Sequence, residues 1–348
     1  ITDLKVHQGD LIVSTSGRGF WILDDLGLLN QYNNSDRGFK LYMPETTNNG
    51  IWGSQLSSNN PRFDGTNTFE GVNPANGVVL YYELPKLDKE TVITLEIRNS
   101  KNELVNTISS ERDKSYKRWD GGPPPANTLS KKEGLNRVVW DMRYPIMSGI
   151  PDTYIEANFR GHRIVPGTYK FTLKAGDEMG EVNAIIEENP LFETSSGQYD
   201  EYDEFMKTME VELTEMHNKV NVLFNAQKQI GEVVEMLKKS ENSALAEAGN
   251  TLLNDLKKWD EDMIQRKSKA YDDVENFPNK FTAEYIFLIN QSESSIPRVN
   301  EQNRQRKVEL DGQWETLKDQ ADEFINQSIP EFNSKLWKAG IGAIKFKD

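Results

Sequence analysis

The sequence predicts a multidomain chain, β first and α after: terminal propeller-blade strands, an immunoglobulin-like β-sandwich and a C-terminal antiparallel helical bundle. Three observations carry this. Composition changes near residue 195, from short turn-bounded runs rich in Gly, Pro, Asn and β-branched residues to a Glu-, Lys-, Gln-, Leu- and Met-rich stretch. Runs of alternating apolar and polar residues recur between 77 and 187. A stripe spaced by threes and fours follows from Tyr202 to Leu237. At 348 residues the chain exceeds one ordinary domain. The expected boundaries are 1–30 for the end of a β-propeller, its last blade; 31–75 for a connector; 76–190 for the sandwich; and 196–348 for the bundle.

The opening residues read as three strands. Asp3–His7 alternates, Gln8-Gly9-Asp10 turns, Leu11–Thr15 follows, Gly17-Arg18-Gly19 turns again, and Phe20–Leu23 is ended by Asp24-Asp25. Three short strands joined by tight turns look like most of a propeller blade, and one blade needs neighbours to cover its faces. Because the chain opens in mid-fold on Ile1, the expectation is a fragment or one piece of a cleaved precursor. Residues 31–75, rich in Asn, Ser, Gly and Pro, are expected to be largely irregular. Short strands should hide among them, and Phe39, Tyr42, Trp52, Phe63 and Phe69 should pack onto a neighbouring domain.

The sandwich is built from Val78–Leu84, Thr91–Ile97, Glu103–Ile108, Gly134–Met142, Thr168–Leu173 and Val182–Ile186, with Leu135, Val138, Trp140 and Met142 expected inside. Asp120–Pro125 should be an exposed loop. In the helical part, Tyr202, Phe205 or Met206, Met209, Leu213, Met216, Val220, Leu223, Ile230, Val234 and Leu237 form a seam that Gln227 interrupts. Breaks are expected at Ser240–Ser243 and Asn276–Asn279. A second helix carries Leu245, Leu252, Leu256, Trp259 and Met263, a short one spans Phe281–Ile289, and a long one follows Pro297 with Leu310, Trp314, Leu317, Ala321 and Phe324. Pro330 suits the first turn of a last helix that Gly340 ends.

Composition excludes several functions. A net charge of −14 disfavours nucleic acid and anionic membrane surfaces, since both need a basic face. No apolar run is long enough to span a bilayer, so an integral membrane protein is not expected. Without cysteine there is no thiol catalysis, disulfide or thiolate metal site. No His-Glu-x-x-His pair, nucleophile elbow, Walker loop or dinucleotide glycine triplet occurs, so no catalytic, cofactor-binding or metal-binding residue is assigned and no cofactor is expected.

The string Gly17-Arg-Gly-Phe-Trp-Ile-Leu-Asp-Asp25 resembles the last blade of bacterial proteins known as BNR-repeat glycosyl hydrolases or sortilin N-terminal-like (VPS10-type) propellers. Asn73-Pro74 with Gly77–Tyr82, Leu135–Tyr144 and Val165–Leu173 are similar to later strings of that family in the same order. The chain departs from it at Ser16, where many relatives carry His, and lacks the Ser-x-Asp-x-Gly-x-x-Trp turn; no catalytic residue is carried over. The resemblance implies a secreted, periplasmic or cell-surface protein whose missing N-terminal propeller would hold any ligand or glycosidase site. It also implies a partner in an outer-membrane or cell-surface complex.

Two residues stand out as possible ligand or partner contacts. Trp119, beside the Gly-Pro loop, is the candidate sugar-stacking ring, against a packing role for most aromatics. Arg18 is the one propeller-like Arg, against a role ordering the turn beside Asp24 or Asp25. That pair of carboxylates is a weak calcium signal. His7, His162 and His217 are expected to be isolated surface or interdomain residues. The runs Asp200–Glu204 and Asp260–Asp262 are expected to be solvated helix faces near N-termini. The leading expectation is a non-catalytic scaffold and interaction region that caps the propeller and binds a protein. The alternatives are an accessory region of a glycoside hydrolase-like enzyme with its active site on missing blades, or a carbohydrate-binding sandwich. Enzymatic activity of the full-length protein stays open.

Overall fold

The computed structural model describes residues 1–7, 9–32, 38–50, 75–239 and 242–346. Trp52, Phe63, Phe69 and Asn73-Pro74 lie outside them, as does the start of the Ser240–Ser243 break. The order is β, then α. Two compact units are formed: one from 1–116, 126–145 and 163–195, the other from 117–125, 146–162 and 196–348. The helical unit thus includes two segments that fall within the expected sandwich range of 76–190.

Among the described residues the first unit holds three sheets. β1 (Asp3–His7), β2 (Asp10–Ser14) and β3 (Phe20–Leu23) form an antiparallel meander, followed by a one-turn helix, α1 (Leu26–Gln31). The connector does contain short strands. β4 (Lys40–Leu41) pairs with β6 (Val78–Leu84), and β5 (Thr47–Asn48) runs parallel to β11 (Glu178–Glu187). β6 also pairs along its length with β9 (Gly134–Trp140), giving the order β4-β6-β9. The third sheet runs β5-β11-β10-β7-β8, with β7 at Ile93–Arg98, β8 at Leu104–Ser109 and β10 at Gly167–Ala175.

Alternation decides what these strands bury. In β7, Ile93, Leu95 and Ile97 point inward; in β10, Tyr169, Phe171, Leu173 and Ala175 do. Trp140 of β9 meets Tyr169 and Phe171 edge-on, with ring centroids 5.7 and 5.5 Å apart, so the five-stranded sheet and the β4-β6-β9 sheet share one apolar core. Its indole N–H donates to the Arg143 carbonyl at 3.1 Å. Leu135 corrects the expected core: it is 45% exposed. The period of two that turns Val138 and Trp140 inward selects Asn136 instead. Asn136 donates its side-chain NH2 to the Lys132 and Gly134 carbonyls, while its buried Oδ1 has no hydrogen-bond partner among the described residues.

The second unit is organised on α2 (Gln198–Lys238), 41 residues long. Tyr202, Met206, Met209, Leu213, Met216, Val220, Leu223, Ile230, Val234 and Leu237 are buried. The seam is uninterrupted, because Ala226 rather than Gln227 takes the inward position between Leu223 and Ile230. α3 (Ser243–Met263) packs on α2 and α6 through Gly249. A Cβ there would lie 2.6 Å from Val234 Cγ2 and 2.9 Å from Phe332 Cζ, so the close approach requires glycine. Ala246, rather than the half-buried Leu245, starts the α3 stripe.

α4 (Phe281–Glu293) precedes α5 (Glu301–Glu323), whose N-terminus is capped by the Asn300 side chain accepting the Asn303 N–H at 2.8 Å. Pro330 stands in the first turn of the last helix, as expected, and no coil separates that helix from α5. A π-turn over Phe324–Ser328 carries the backbone into α6 (Ile329–Lys338), with the Ile329 N–H donating to the Phe324 carbonyl. Pro330 brings no N–H to the ladder, and the wider turn accommodates it without a bend into coil. α6 ends at Gly340 (φ 72°), where the N–H groups of Gly340 and Ile341 reach the carbonyls of Trp337 and Leu336, the Schellman arrangement.

Candidate interaction surface

Among the described residues, the meander leaves many of its apolar side chains exposed. Its register aligns them. On one face, Leu4, Val13 and Trp21 form a row across the three strands, and Val6, Leu11 and Leu23 form the next. Directly paired antiparallel residues share a face, so these six make a continuous apolar strip. On the other face, Lys5, Ile12 and Ile22 are aligned, beside Phe20. Leu4, Val6, Ile22 and Leu23 are each half exposed or more, and Phe20 is 80% exposed. Strands buried on one side alternate apolar with polar; these carry apolar side chains on both faces, as strands covered on both sides do.

The base of the meander is tied to the rest of its unit. The Leu26 N–H donates to the Gly9 carbonyl, Asp10 Oδ1 accepts the Asp25 N–H at 3.3 Å, and Glu45 Oε1 accepts the Gly27 N–H at 3.1 Å. Tyr81 of β6 donates its hydroxyl to Asp25 Oδ2 at 2.7 Å. Burial, then the like charges of Asp10 and Asp25, push the Asp24 carboxyl up against the opposing pull of Arg137. Asp10, Asp25 and Glu45 are therefore engaged with backbone or phenol donors. Among the described residues no group of three or more His, Asp or Glu is arranged to hold a metal ion.

Arg18 lies at the exposed tip of the β2–β3 turn, and among the described residues no ion pair joins it to Asp24 or Asp25. Trp119 is half-buried within its own loop. Its indole N–H donates to the Thr153 carbonyl at 2.9 Å. Gly122 and Gly149 lie so close to the ring that a Cβ on either would come within 2.3 and 3.0 Å of it. The two candidate residues lie in different units.

Two histidines depart from the surface or interdomain placement expected of them: His162 and His217 are fully buried within the helical unit. His217 also approaches a serine, with Ser148 Oγ 3.5 Å from Nδ1. That is no catalytic pair, because Nδ1–H donates to the Ser148 carbonyl at 2.7 Å and keeps no lone pair to accept the hydroxyl proton. The run Asp200–Glu204 lies in the first two turns of α2 as expected, with Asp200, Glu201 and Glu204 exposed and Asp203 half-buried and ion-paired to Lys207 and His162. The run Asp260–Asp262 is corrected. Asp260 is buried in the last turn of α3, not near an N-terminus, where Arg266 grips both its oxygens at 2.6 Å and offsets the unfavourable helix dipole.

No helix among the described residues is long and apolar enough to cross a membrane. No protein-family model, curated protein or solved structure matches the chain. The surface is therefore read from its own chemistry. The two-residue link between His7 and Asp10 sets the β1–β2 register, so the apolar rows could have been paired from sequence; their lack of cover could not.

Proposed function

We propose that this chain is a non-catalytic scaffold and interaction region of a secreted or cell-surface protein, in which the meander is completed by further β-propeller strands. The β half is read as an immunoglobulin-like sandwich, supported by two sheets sharing the Trp140-centred core. The helical half is read as an antiparallel bundle, supported by the unbroken α2 seam. The resemblance of Gly17–Asp25 to a terminal blade supplies the propeller and the extracellular location.

One observation carries the partner: the six-residue apolar strip of Leu4, Val13, Trp21, Val6, Leu11 and Leu23, with Phe20 and Ile22 exposed on the opposite face. Apolar surface on both faces of a sheet suits cover by two neighbouring sheets, the environment of a propeller blade. A single helix or a ligand would cover one face only.

The chain has no cysteine, so Val6→Cys and Phe20→Cys each give one reporting thiol, one per face. The expected outcome is fast alkylation of both in this chain and slow alkylation of both in the full-length gene product. Equally fast labelling in the two contexts removes the proposal. Protection of one face alone replaces it with a one-sided docking surface.

A further inference from the structure

Segment 146–162 lies against the helices of its unit without regular structure, and is held at both ends by a histidine. Met147, Ile150, Ile155 and Phe159 are buried, and the Met147 N–H donates to the Phe159 carbonyl at 2.8 Å, closing the segment into a loop. In its middle, Asn158 and Asn290 of α4 exchange two 2.8 Å hydrogen bonds. At one end, the Ser148 carbonyl accepts Nδ1–H of His217 of α2. At the other, His162 lies between two carboxylates of α2: Nε2 is 3.2 Å from Asp203 and Nδ1 is 3.0 Å from Glu210, while the His162 N–H donates to Glu210 at 2.7 Å.

The two rings require opposite charge. His217 is fully buried, and its Nε2 has no hydrogen-bond partner among the described residues. A second proton would sit there unpaired, so the ring is held neutral. His162 faces two carboxylates, with Lys207 on the far oxygen of Asp203, and is suited to the charged form. The segment's own Asp152, Glu156 and Arg160 are exposed.

We propose that residues 146–162 form a pH-sensitive strap, seated on α2 while His162 is charged and His217 neutral, and released when either condition fails. The shifts agree with the geometry. Burial pushes His217 down to about 4 against the Ser148 hydrogen bond. Burial would also lower His162, but the hydrogen bonds to Asp203 and Glu210 outweigh it and raise the ring above its ordinary value. The signs follow. Below 6.5, the released strap's His217 gains a proton that the seated one refuses, so acid opens the strap. Above 6.5, the released His162 has already lost the proton that the seated one keeps, so that contribution fades as pH rises through the raised value. Seating is tightest near 6.5.

The test is amide hydrogen exchange of the intact chain between pH 4 and 9, corrected for the intrinsic rate and followed at Met147, Asn158 and His162. Protection should peak near 6.5 and fall by roughly a hundredfold at pH 4, the factor that the His217 shift implies. His217→Gln should flatten the acid limb and His162→Gln the alkaline limb. NMR titration of the two rings reads the same charge states without any substitution. A strap profile flat in pH overturns the proposal, as does one identical to that of Leu213 and Val220 in the α2 core, which would report global unfolding.

Discussion

The β1–β3 meander and the β6–β9 pair follow the same rule of alternation and end in opposite environments. In β6, Val78, Leu80, Tyr82 and Leu84 point inward and are almost wholly buried, because β7 and β10 present a second apolar face to them. In the meander, rows of equal apolar content meet no second sheet among the described residues. Alternation and register state which residues share a face. Burial depends on whether another face is supplied, and that is a property of the assembly.

The comparison can be broken with tryptophans. Trp140→Ala empties the shared core and should cost about 3–5 kcal/mol in urea denaturation. A loss below about 1 kcal/mol would mean that the two sheets do not depend on a common centre. Gly249→Ala tests the tightest helix approach. Alanine favours a helix by about 1 kcal/mol, yet its Cβ meets Val234 and Phe332, and a net loss of about 1–2 kcal/mol is expected. Unchanged stability would show that α3 can shift freely. Asn300→Ala removes the cap of α5 and should cost about 1 kcal/mol, read as a lowered midpoint with unchanged slope.

Trp21→Ala should have the smallest effect, within about 0.5 kcal/mol in the chain alone, since Trp21 is 41% exposed on the open strip. The same change in the full-length gene product should be markedly more costly if further strands cover the strip. Equal costs in both contexts would place Trp21 on a free surface and sharpen the contrast with Trp140.

Much of the fold was legible because it is local. The strands at Val78–Leu84, Gly134–Trp140 and Gly167–Ala175 follow from alternation and flanking Gly, and the α2 seam follows from helical spacing. The errors also have local causes. Leu135 reads as inward on hydrophobicity although it is out of phase with Trp140, and Ala226 has too small a side chain to signal its place in the seam. Pro330 reads correctly as a helix start, while the π-turn that joins α5 to it without coil has no local signal. Less of the candidate surface was legible. Its apolar strands are legible, but Arg18 stands at the exposed turn tip rather than in the apolar rows.

By itself, the sequence determined the β-then-α order, the strand and helix positions and the alignment of apolar rows in the meander. Each depends on residues within a few positions of one another, where backbone geometry imposes periods of 2 and 3.6. Only the tertiary structure decided that 146–162 packs with the helices, that His162 meets Asp203 and Glu210, and that His217 is buried with one ring nitrogen unpaired among the described residues. Those outcomes join residues about 40 to 70 positions apart, and their chemistry comes from burial and proximity, which no local period encodes.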